Sequence, residues 1–554
     1  MAKKEAKEKF SDKKNIINEK TGTPNLSNTY SQVVKDSLDQ RAYAVKIPGL
    51  VKLFFVAILV IGIIILNFAI ANILNRDYVI LYTVLQVISV IFVLFVVHKD
   101  RNPSYVIAWT IIILAVPVAG LFIYFLWGRK SRFKEDQKKV KKIKKNMDPY
   151  FDPQIKNYAN FLRKYPENRL QASFLSKQGF PVYRNTKCKY YTLGEKKFVD
   201  MFADLRNAKN FIFLEYFILA DGLIWHEIEN IIIKKAQEGV EVRLLFDDFG
   251  SIIKAPNDLI RRLRSHNIKV YNFNPVARYI SRLYINFRNH QKCCVIDGQI
   301  GYTGGTNLAD EYANLYERFG HWKDTAIRLE GDAVWGLTSM FLSMWQLESR
   351  KIEEDIAKYM PDFNKINLPI EKQGFYIPYV DGPLNNPKNP AEDIYRSIIN
   401  NAKDYLYICT PYFIVDDSMV RDICRAAESG VDVRLLTPGK PDKWYAYVVT
   451  QSHYERLLES DVKILQYTPG FIHAKTIIAD NHAITGCINF DYRSFHLHFE
   501  NSVYICDEPI IKDIYQDFIE TFELSDKVEL EKWKKRNIFR KILEAIMSVF
   551  SPLL

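Results

Sequence analysis

Hydrophobic and polar positions divide this chain into three regimes. Residues 1–48 are polar. Three apolar runs then follow in close succession: Leu53–Leu74, nearly free of charge; Tyr78–Val97, interrupted only by Gln86; and Tyr105–Trp127, disturbed only by Pro117 and glycine. Each is about 20 residues, the length that crosses a hydrocarbon core. The long polar tail ahead of the first run argues against a cleavable signal peptide. The pattern therefore predicts a membrane domain over residues 49–128, built from runs 53–74, 78–97 and 105–127.

From about Lys187 the pattern changes to short apolar strands alternating with amphipathic helical stretches, the signature of an α/β fold. It runs twice. AKNFIFLEYFILADG (Ala208–Gly222) matches AKDYLYICTPYFIVDD (Ala402–Asp417), and KKAQEGVEVRLLFDD (Lys234–Asp248) matches CRAAESGVDVRLLTPG (Cys424–Gly439). In each copy a glycine, Gly239 or Gly430, is placed to end a helix before the next strand. The duplication predicts two lobes sharing one cleft, over residues 181–353 and 375–530, joined by a connector at 354–374.

Charge sharpens the membrane reading. The net charge of +12 suits a phosphate-bearing partner, either nucleic acid or an anionic bilayer. The Lys- and Arg-dense segment Arg129–Lys145 directly follows the third run and opens a basic juxtamembrane linker at 129–180, readable as a solvated linker, an anionic-lipid contact, or both. Such a cluster marks a cytoplasmic flank, so the lobes are expected in the cytoplasm. Basic residues also precede the first run, and three crossings cannot leave both ends inside. Either the N-terminal tail lies outside or one run does not fully span. At the other end, residues 531–554 mix basic residues with an apolar helical face. They read either as an interfacial helix or as a helix docked on the second lobe.

The candidate chemistry lies in a repeated triplet, H-x-K-x-x-x-x-D: His290, Lys292 and Asp297, then His473, Lys475 and Asp480. A glycine bend and an asparagine follow each, Gly304-Gly305 with Asn307 and Gly486 with Asn489. Lys292–Ile296 reads as a strand, Asp297-Gly298 as a hairpin turn and Ile300–Thr303 as the return. The second copy has Thr476–Ala479, a turn at Asp480-Asn481, and a return over Ala483–Thr485. A His and a Lys two apart on a strand face the same way. A phosphodiester reaction needs such a nucleophile, donors for the phosphoryl oxygens and an acid for the leaving alcohol. The aspartates, at turns, are the members least tied to substrate; they can orient a neighbour or hold the hairpin.

The remaining histidines carry less. His321, before Trp322-Lys323-Asp324, is a candidate cleft residue. His482, His496 and His498 lie near the second motif, and His98, His226, His266 and His453 read as surface positions. No HExxH or Cys/His ligand spacing occurs, so no metal and no cofactor is expected. The seven cysteines include no CxxC pair and form an odd set, which argues for buried thiols in a reducing compartment.

The two triplets resemble the paired HKD motifs of the phospholipase D superfamily. From about Arg76 to Leu554 the chain is similar to bacterial cardiolipin synthases, through NPSYVIAWTIIILAVPVAGLFIYFLWGR, LEYFILADG, LLFDDFGS, RNHQKCCVIDG, TGGTNLADEY, GHWKDTAIRLEG, TPYF, FIHAKTIIAD and INFDYRSF. The resemblance implies duplicated phospholipase D-like α-β-α lobes behind N-terminal transmembrane helices, in the cell membrane. It implies transfer of a phosphatidyl group between two phosphatidylglycerol molecules through a covalent phosphatidyl-histidine. His290 would be the nucleophile and His473 the acid and base, with Lys292, Lys475, Asn307 and Asn489 on the phosphate. The expected partners are phosphatidylglycerol and anionic membrane lipids, not nucleic acid. Two departures stand out. The family commonly has two membrane helices, which makes Leu53–Leu74 extra, and it has Gly-Ser where this chain has Gly486-Cys487. A thiol is a weaker donor than a hydroxyl, so a phosphate contact there would be weakened or unused. The competing readings are a hydrolase of the same superfamily, either a phospholipase D or a nuclease, and a non-catalytic lipid-binding scaffold.

Overall fold

The computed structural model describes residues 75–553, apart from 100–102, 129–133, 152–154, 276–286, 364, 366–367, 370–373 and 385–388. The predicted tail 1–48 and the run Leu53–Leu74 lie outside the described residues.

The first sheet contains β1 (Thr186–Tyr191), β2 (Phe211–Tyr216), β3 (Glu241–Asp247), β4 (Lys269–Phe273), β5 (Cys293–Ile296), β6 (Ile300–Gly304) and, after the separate short strand β7 (His321–Lys323), β8 (Ala326–Gly331). Their spatial order is β1-β8-β6-β5-β2-β3-β4. The second lobe supplies β9 (Phe375–Asp381), β10 (Tyr405–Cys409), β11 (Phe413–Ile414), β12 (Asp432–Pro438), β13 (Lys463–Tyr467), β14 (Gly470–Ile472), β15 (Thr476–Ala479), β16 (His482–Gly486), β17 (Phe490–Asp491), β18 (Glu500–Cys506) and β19 (Ser525–Lys527). Its sheet runs β9-β18-β16-β15-β10-β12-β13, with β19 added at the edge. Strand for strand this is the first sheet again. In each, one half is antiparallel and the last three strands are parallel. The duplication predicted from matching text is thus a duplication of topology.

Both faces of each sheet are covered, as the near-continuous apolar strands require. On β2, Ile212 and Leu214 pack outward against Trp225 and Ile228 of helix Leu223–Gln237. Phe213, between them, faces the other way and stacks on Phe341 of helix Val334–Ser349 at 4.5 Å. That inner cluster also holds Tyr407, Ile478, Val503 and Phe518, so the lobes share a core. Gly239 and Gly430 close their helices at φ +92° and +94°, the left-handed conformation that glycine adopts without penalty.

The predicted linker 129–180 is not simply a solvated segment. Helix Lys134–Met147 buries Ile143 and Met147 in the shared core, and Lys139 Nζ donates to Leu347 O at 2.9 Å. Helices Ile155–Lys164 and Arg169–Lys177 pack Phe161, Ala172 and Leu175 against the second lobe. The basic residues ride on helices whose apolar stripe docks.

At the N-terminal side, α1 (Asn75–Lys99) contains the run Tyr78–Val97. The run Tyr105–Trp127 is divided into α2 (Pro103–Ala115), α3 (Pro117–Ile123) and a π-turn at Tyr124–Gly128. The break falls where Pro117 lacks an N–H and forces Val116 out of the helical region, to φ −136° and ψ 79°. Among the described residues no helix is long and apolar enough to cross a membrane. The outward faces of α1–α3 are nonetheless strongly apolar: Val87, Leu94, Phe95, Ile107 and Phe122 are exposed, Phe95 by 67%. Their inward faces, with Val96, Tyr105, Trp109 and Tyr124, pack on Phe287, Tyr492 and Leu497 of the two lobes.

Helix Ile538–Val549 meets the docking expectation for the C-terminal segment and leaves an apolar face exposed. Its inner side docks on the second lobe, with Arg540 donating to Gln451 Oε1 at 2.6 Å, and Arg536 braces the helix itself by donating to Glu544 at 2.6 Å. Its outer side exposes Ile538, Phe539, Ile542 and Ile546.

Candidate active site

The two histidines meet where the lobes cross. The segment before β5 is pinned by Asn289, whose N–H donates to Asp247 Oδ2 at 2.9 Å and whose amide donates to the buried Glu215 at 2.6 Å. His290 N–H then bonds Phe499 O of the other lobe at 2.8 Å. Symmetrically, His473 N–H bonds Lys323 O of the first lobe at 2.7 Å, next to the parallel pairing of β7 with β14. Each histidine is therefore fixed by the lobe it does not belong to.

Each imidazole is held by a carboxylate of the opposite lobe. His290 Nδ1 lies 2.8 and 2.9 Å from the two oxygens of Glu500, at the start of β18. His473 Nδ1 lies 2.6 Å from Asp324 Oδ2, just before β8. A carboxylate on Nδ1–H fixes the tautomer and leaves Nε2 with a lone pair. Burial, reinforced by the Lys292 cation, pushes His290 well below the ordinary imidazole value. Burial also lowers His473, to about 4, while Asp324 pulls it upward. Glu500 is raised to about 8 by burial, against the pull of Lys292.

The lysines line the same centre. Lys292 and Lys475 are each 1% exposed, and each ammonium donates to the carbonyl of its own histidine, Lys292 to His290 O at 2.6 Å. An ammonium has three N–H donors, so each keeps capacity for an anion. Burial lowers both, Lys475 to about 7.

Asp297 and Asp480 stand elsewhere. Asp297 accepts the N–H groups of Lys209, Asn210 and Phe211 at 2.8, 2.7 and 2.9 Å. Asp480 accepts those of Lys403, Asp404 and Tyr405 at 3.0, 3.0 and 3.3 Å. Each carboxylate ties the hairpin turn to the start of the neighbouring strand, at the end of β5 or β15 away from the histidine. They are hairpin anchors rather than members of the reacting centre.

The asparagines differ from each other. Asn307 is engaged on both sides, accepting Ile218 N–H at 2.9 Å and donating to Tyr312 OH at 2.7 Å. Asn489 has a buried Oδ1 without a partner among the described residues. The thiol of Cys487 turns not toward the cleft but to Glu500 Oε2, at 2.7 Å. Of the two expectations, a weakened or an unused phosphate contact, this orientation agrees with the second, and the thiol supports the carboxylate behind His290. In the first lobe the matching position is Gly305, where a Cβ would lie 1.9 Å from Asp324 Oδ1. Only glycine leaves that carboxylate in place.

His290 Nδ1, Cys487 Sγ and the Glu500 carboxylate lie within 4.8 Å of one another, a geometry that their mutual hydrogen bonds account for. Of the other histidines, His498 stands beside His290, with ring centroids 5.7 Å apart. His321 bonds Tyr467 OH at 2.8 Å, bridging the lobes. His482 packs on Tyr504, and His453, read as a surface position, packs against Phe413. Sequence reading missed Glu500 as a functional residue and noted Asp324 only as a neighbour of His321. The available signal was positional: each acid stands at or just before the strand, β18 or β8, that pairs with the return strand of its own repeat's hairpin.

A family model described as a cardiolipin synthase, phospholipase D-like domain matches residues 201–320 and 395–522. A second, described as phospholipase D-nuclease N-terminal, matches residues 84–129. The chain is 40% identical to an uncharacterized protein of Streptococcus mutans, over 80% of this chain and 95% of that one. It is 33% identical to cardiolipin synthase 2 of Bacillus anthracis, over 80% and 86% of the two chains. It is 34% identical to a cardiolipin synthase of Staphylococcus aureus, over 80% and 90%. The crystal structure of a phosphatidylserine synthase from Haemophilus influenzae covers 69% of this chain and 97% of its own, with a TM-score of 0.53 and 14% identity. That last likeness is one of fold.

Proposed function

Because the chain belongs to the cardiolipin synthase family of phospholipase D-like phosphatidyltransferases, we propose that it transfers a phosphatidyl group from one phosphatidylglycerol to another, yielding cardiolipin and glycerol. The observation that carries this reading is the crossed pairing of His290 with Glu500 and His473 with Asp324 around two buried lysines. In the first step His290 Nε2 attacks phosphorus, the bond to the glycerol oxygen breaks, and His473 gives that oxygen its proton. In the second, His473 takes the proton of a headgroup hydroxyl on the acceptor lipid. The acceptor oxygen bonds phosphorus and His290 leaves. Lys292 and Lys475 balance the negative charge of the phosphoryl oxygens throughout. Burial and the lysine cations lower both imidazoles, and His473 suits the acid role because Asp324 offsets part of its depression.

The exchange replaces one phosphodiester by another and needs no nucleotide. The catalytic lobes, read as residues 181–353 and 375–530, work at a bilayer surface. The exposed apolar faces of α1–α3 and of helix Ile538–Val549 support that reading, since soluble surfaces rarely gather such patches. Anchoring in the cell membrane, with the lobes on the cytoplasmic side, is part of the proposal.

The test is to give the purified full-length protein labelled phosphatidylglycerol as its sole lipid. Cardiolipin and free glycerol in equal amounts support the transferase. Phosphatidic acid as the dominant product would instead make the protein a hydrolase.

A further inference from the structure

The two half-sites agree in backbone and differ in lining. Arg288 and Phe471 occupy the same place, two residues before each histidine; His498 and Trp322 occupy the same place, two before each carboxylate. Hydrogen bonding confirms the match, with Phe499 N–H donating to Arg288 O at 2.9 Å and β14 pairing Phe471 with Trp322.

Beside His473 the flank is aromatic. The Trp322 and Phe471 rings are 4.9 Å apart, and lie 5.4 and 5.8 Å from the imidazole. Beside His290 it is basic. His498 lies 5.7 Å from the catalytic ring, and both its ring nitrogens are buried without a hydrogen-bond partner among the described residues. Its N–H bonds Arg493 O at 2.8 Å, which sets Arg493 next to it. The Arg288 guanidinium is held by Asn274 O at 3.0 Å and Asp247 at 3.4 Å. Burial, followed by the cations of Arg493, Arg288, Lys292 and Lys443, drives the His498 imidazole well below its ordinary value. The acids facing this group are Asp247, which also accepts the N–H groups of Gly250 and Asn289, Glu500, 3.7 Å from His498 Nδ1 but already bonded to His290, Cys487 and Ser494, and Asp491, which caps its own helix. The charges that act most strongly on the His498 ring are thus cationic.

The flank also adjoins the N-terminal helices. Tyr492, next to Arg493, stacks on Tyr105 of α2 with centroids 5.7 Å apart and planes at 9°. Phe287, next to Arg288, packs in the same cluster.

We propose that Arg288, Arg493 and His498 form a second anion subsite, which receives the phosphodiester of the acceptor lipid while the donor's phosphorus lies between His290 and His473. The inference rests on the transferase reading and deepens it. The attacking hydroxyl of an acceptor phosphatidylglycerol is one glycerol unit from its own phosphate, so that second anion must sit close to the reacting one. Water and simple alcohols carry no such group. The subsite therefore gives the acceptor lipid an advantage in the second step, when the phosphatidyl-enzyme can otherwise be hydrolysed.

The experiment compares full-length wild type with His498→Phe, which copies the aromatic flank, and with Arg493→Gln. Each receives labelled phosphatidylglycerol vesicles with and without butanol as a phosphate-free acceptor. In both variants the ratio of cardiolipin to phosphatidic acid should fall by about fivefold or more, while the ratio of phosphatidylbutanol to phosphatidic acid holds. An unchanged cardiolipin ratio, or an equal fall in both ratios, overturns the subsite. So does inorganic phosphate that suppresses cardiolipin and phosphatidylbutanol alike, which would assign the cations to a free anion. A wild-type protein that makes no cardiolipin overturns the transferase reading itself, a separate outcome.

Discussion

His290 of the first lobe is oriented by Glu500 of the second: its Nδ1 lies 2.8 Å from Glu500 Oε1, and the carboxylate is fully buried. Neither lobe alone contains a histidine with its carboxylate partner. On the proposed mechanism the duplication is a mechanical requirement, because each half supplies the carboxylate that sets the tautomer of the other's imidazole.

Replacing Glu500 by Gln, or Asp324 by Asn, keeps the shape but puts an amide where each ring has a carboxyl partner. Turnover should drop by roughly 10²–10⁴-fold with little change in KM, by analogy with other carboxylate-oriented histidines. Steady-state kinetics on variants with unaltered circular dichroism would check this. Near wild-type turnover in either one would remove the orienting role.

Asp297→Ala and Asp480→Ala should behave as stability variants. Each strips three backbone N–H groups of their acceptor, a loss on the order of 2 kcal/mol where those groups gain water in exchange. Thermal denaturation should shift down while activity per folded molecule stays within a few-fold. Loss of chemistry in fully folded protein would restore the aspartates to the reacting centre.

Lys475 predicts a pH dependence. Burial lowers its ammonium to about 7, so it is cationic below that pH and neutral above it. The lipid phosphate stays anionic throughout, so attraction is present at low pH and lost as pH rises through about 7. The apparent KM for phosphatidylglycerol should rise above pH 7, by at most about tenfold per unit. Lys475→Arg, whose guanidinium keeps its charge, should flatten lipid binding against pH. An equally steep dependence in that variant would assign the titration to another group.

Cys487→Ser should retain activity within about threefold, because a hydroxyl can make the same bond to Glu500. Cys487→Ala should lower kcat further by leaving Glu500 Oε2 without that donor. Equal activity in the two variants would show that the thiol has no part in holding the carboxylate.

Phe539→Asp together with Ile542→Asp places charge on the exposed face of the C-terminal helix. Sedimentation with anionic vesicles should decline in the double variant relative to wild type under the same detergent conditions. Unchanged sedimentation would confine that helix to a docking role.

Local pattern carried much of this architecture. The repeated text around Gly239 and Gly430, with period-two strands, led to two copies of one sheet. The H-x-K spacing led to the histidines and lysines that now meet in one centre. Glu500 was invisible because its partner lies 210 positions away, and nothing local marks a buried acid as an orienter. For Cys487 the expectation was a weakened or unused phosphate contact, and the thiol's turn toward Glu500 agrees with the second, but its support of that carboxylate was not legible for the same reason. The division of Tyr105–Trp127 was foreshadowed by Pro117, but apolar composition outweighed it.

The most direct test is to quench the enzyme within its first turnovers on phosphatidylglycerol labelled at phosphorus, then map the labelled peptide by mass spectrometry. The account predicts an acid-labile phosphatidyl adduct on His290, absent in His290→Ala. Cardiolipin formation with no protein-bound label at any time, or with the label on His473, would contradict it.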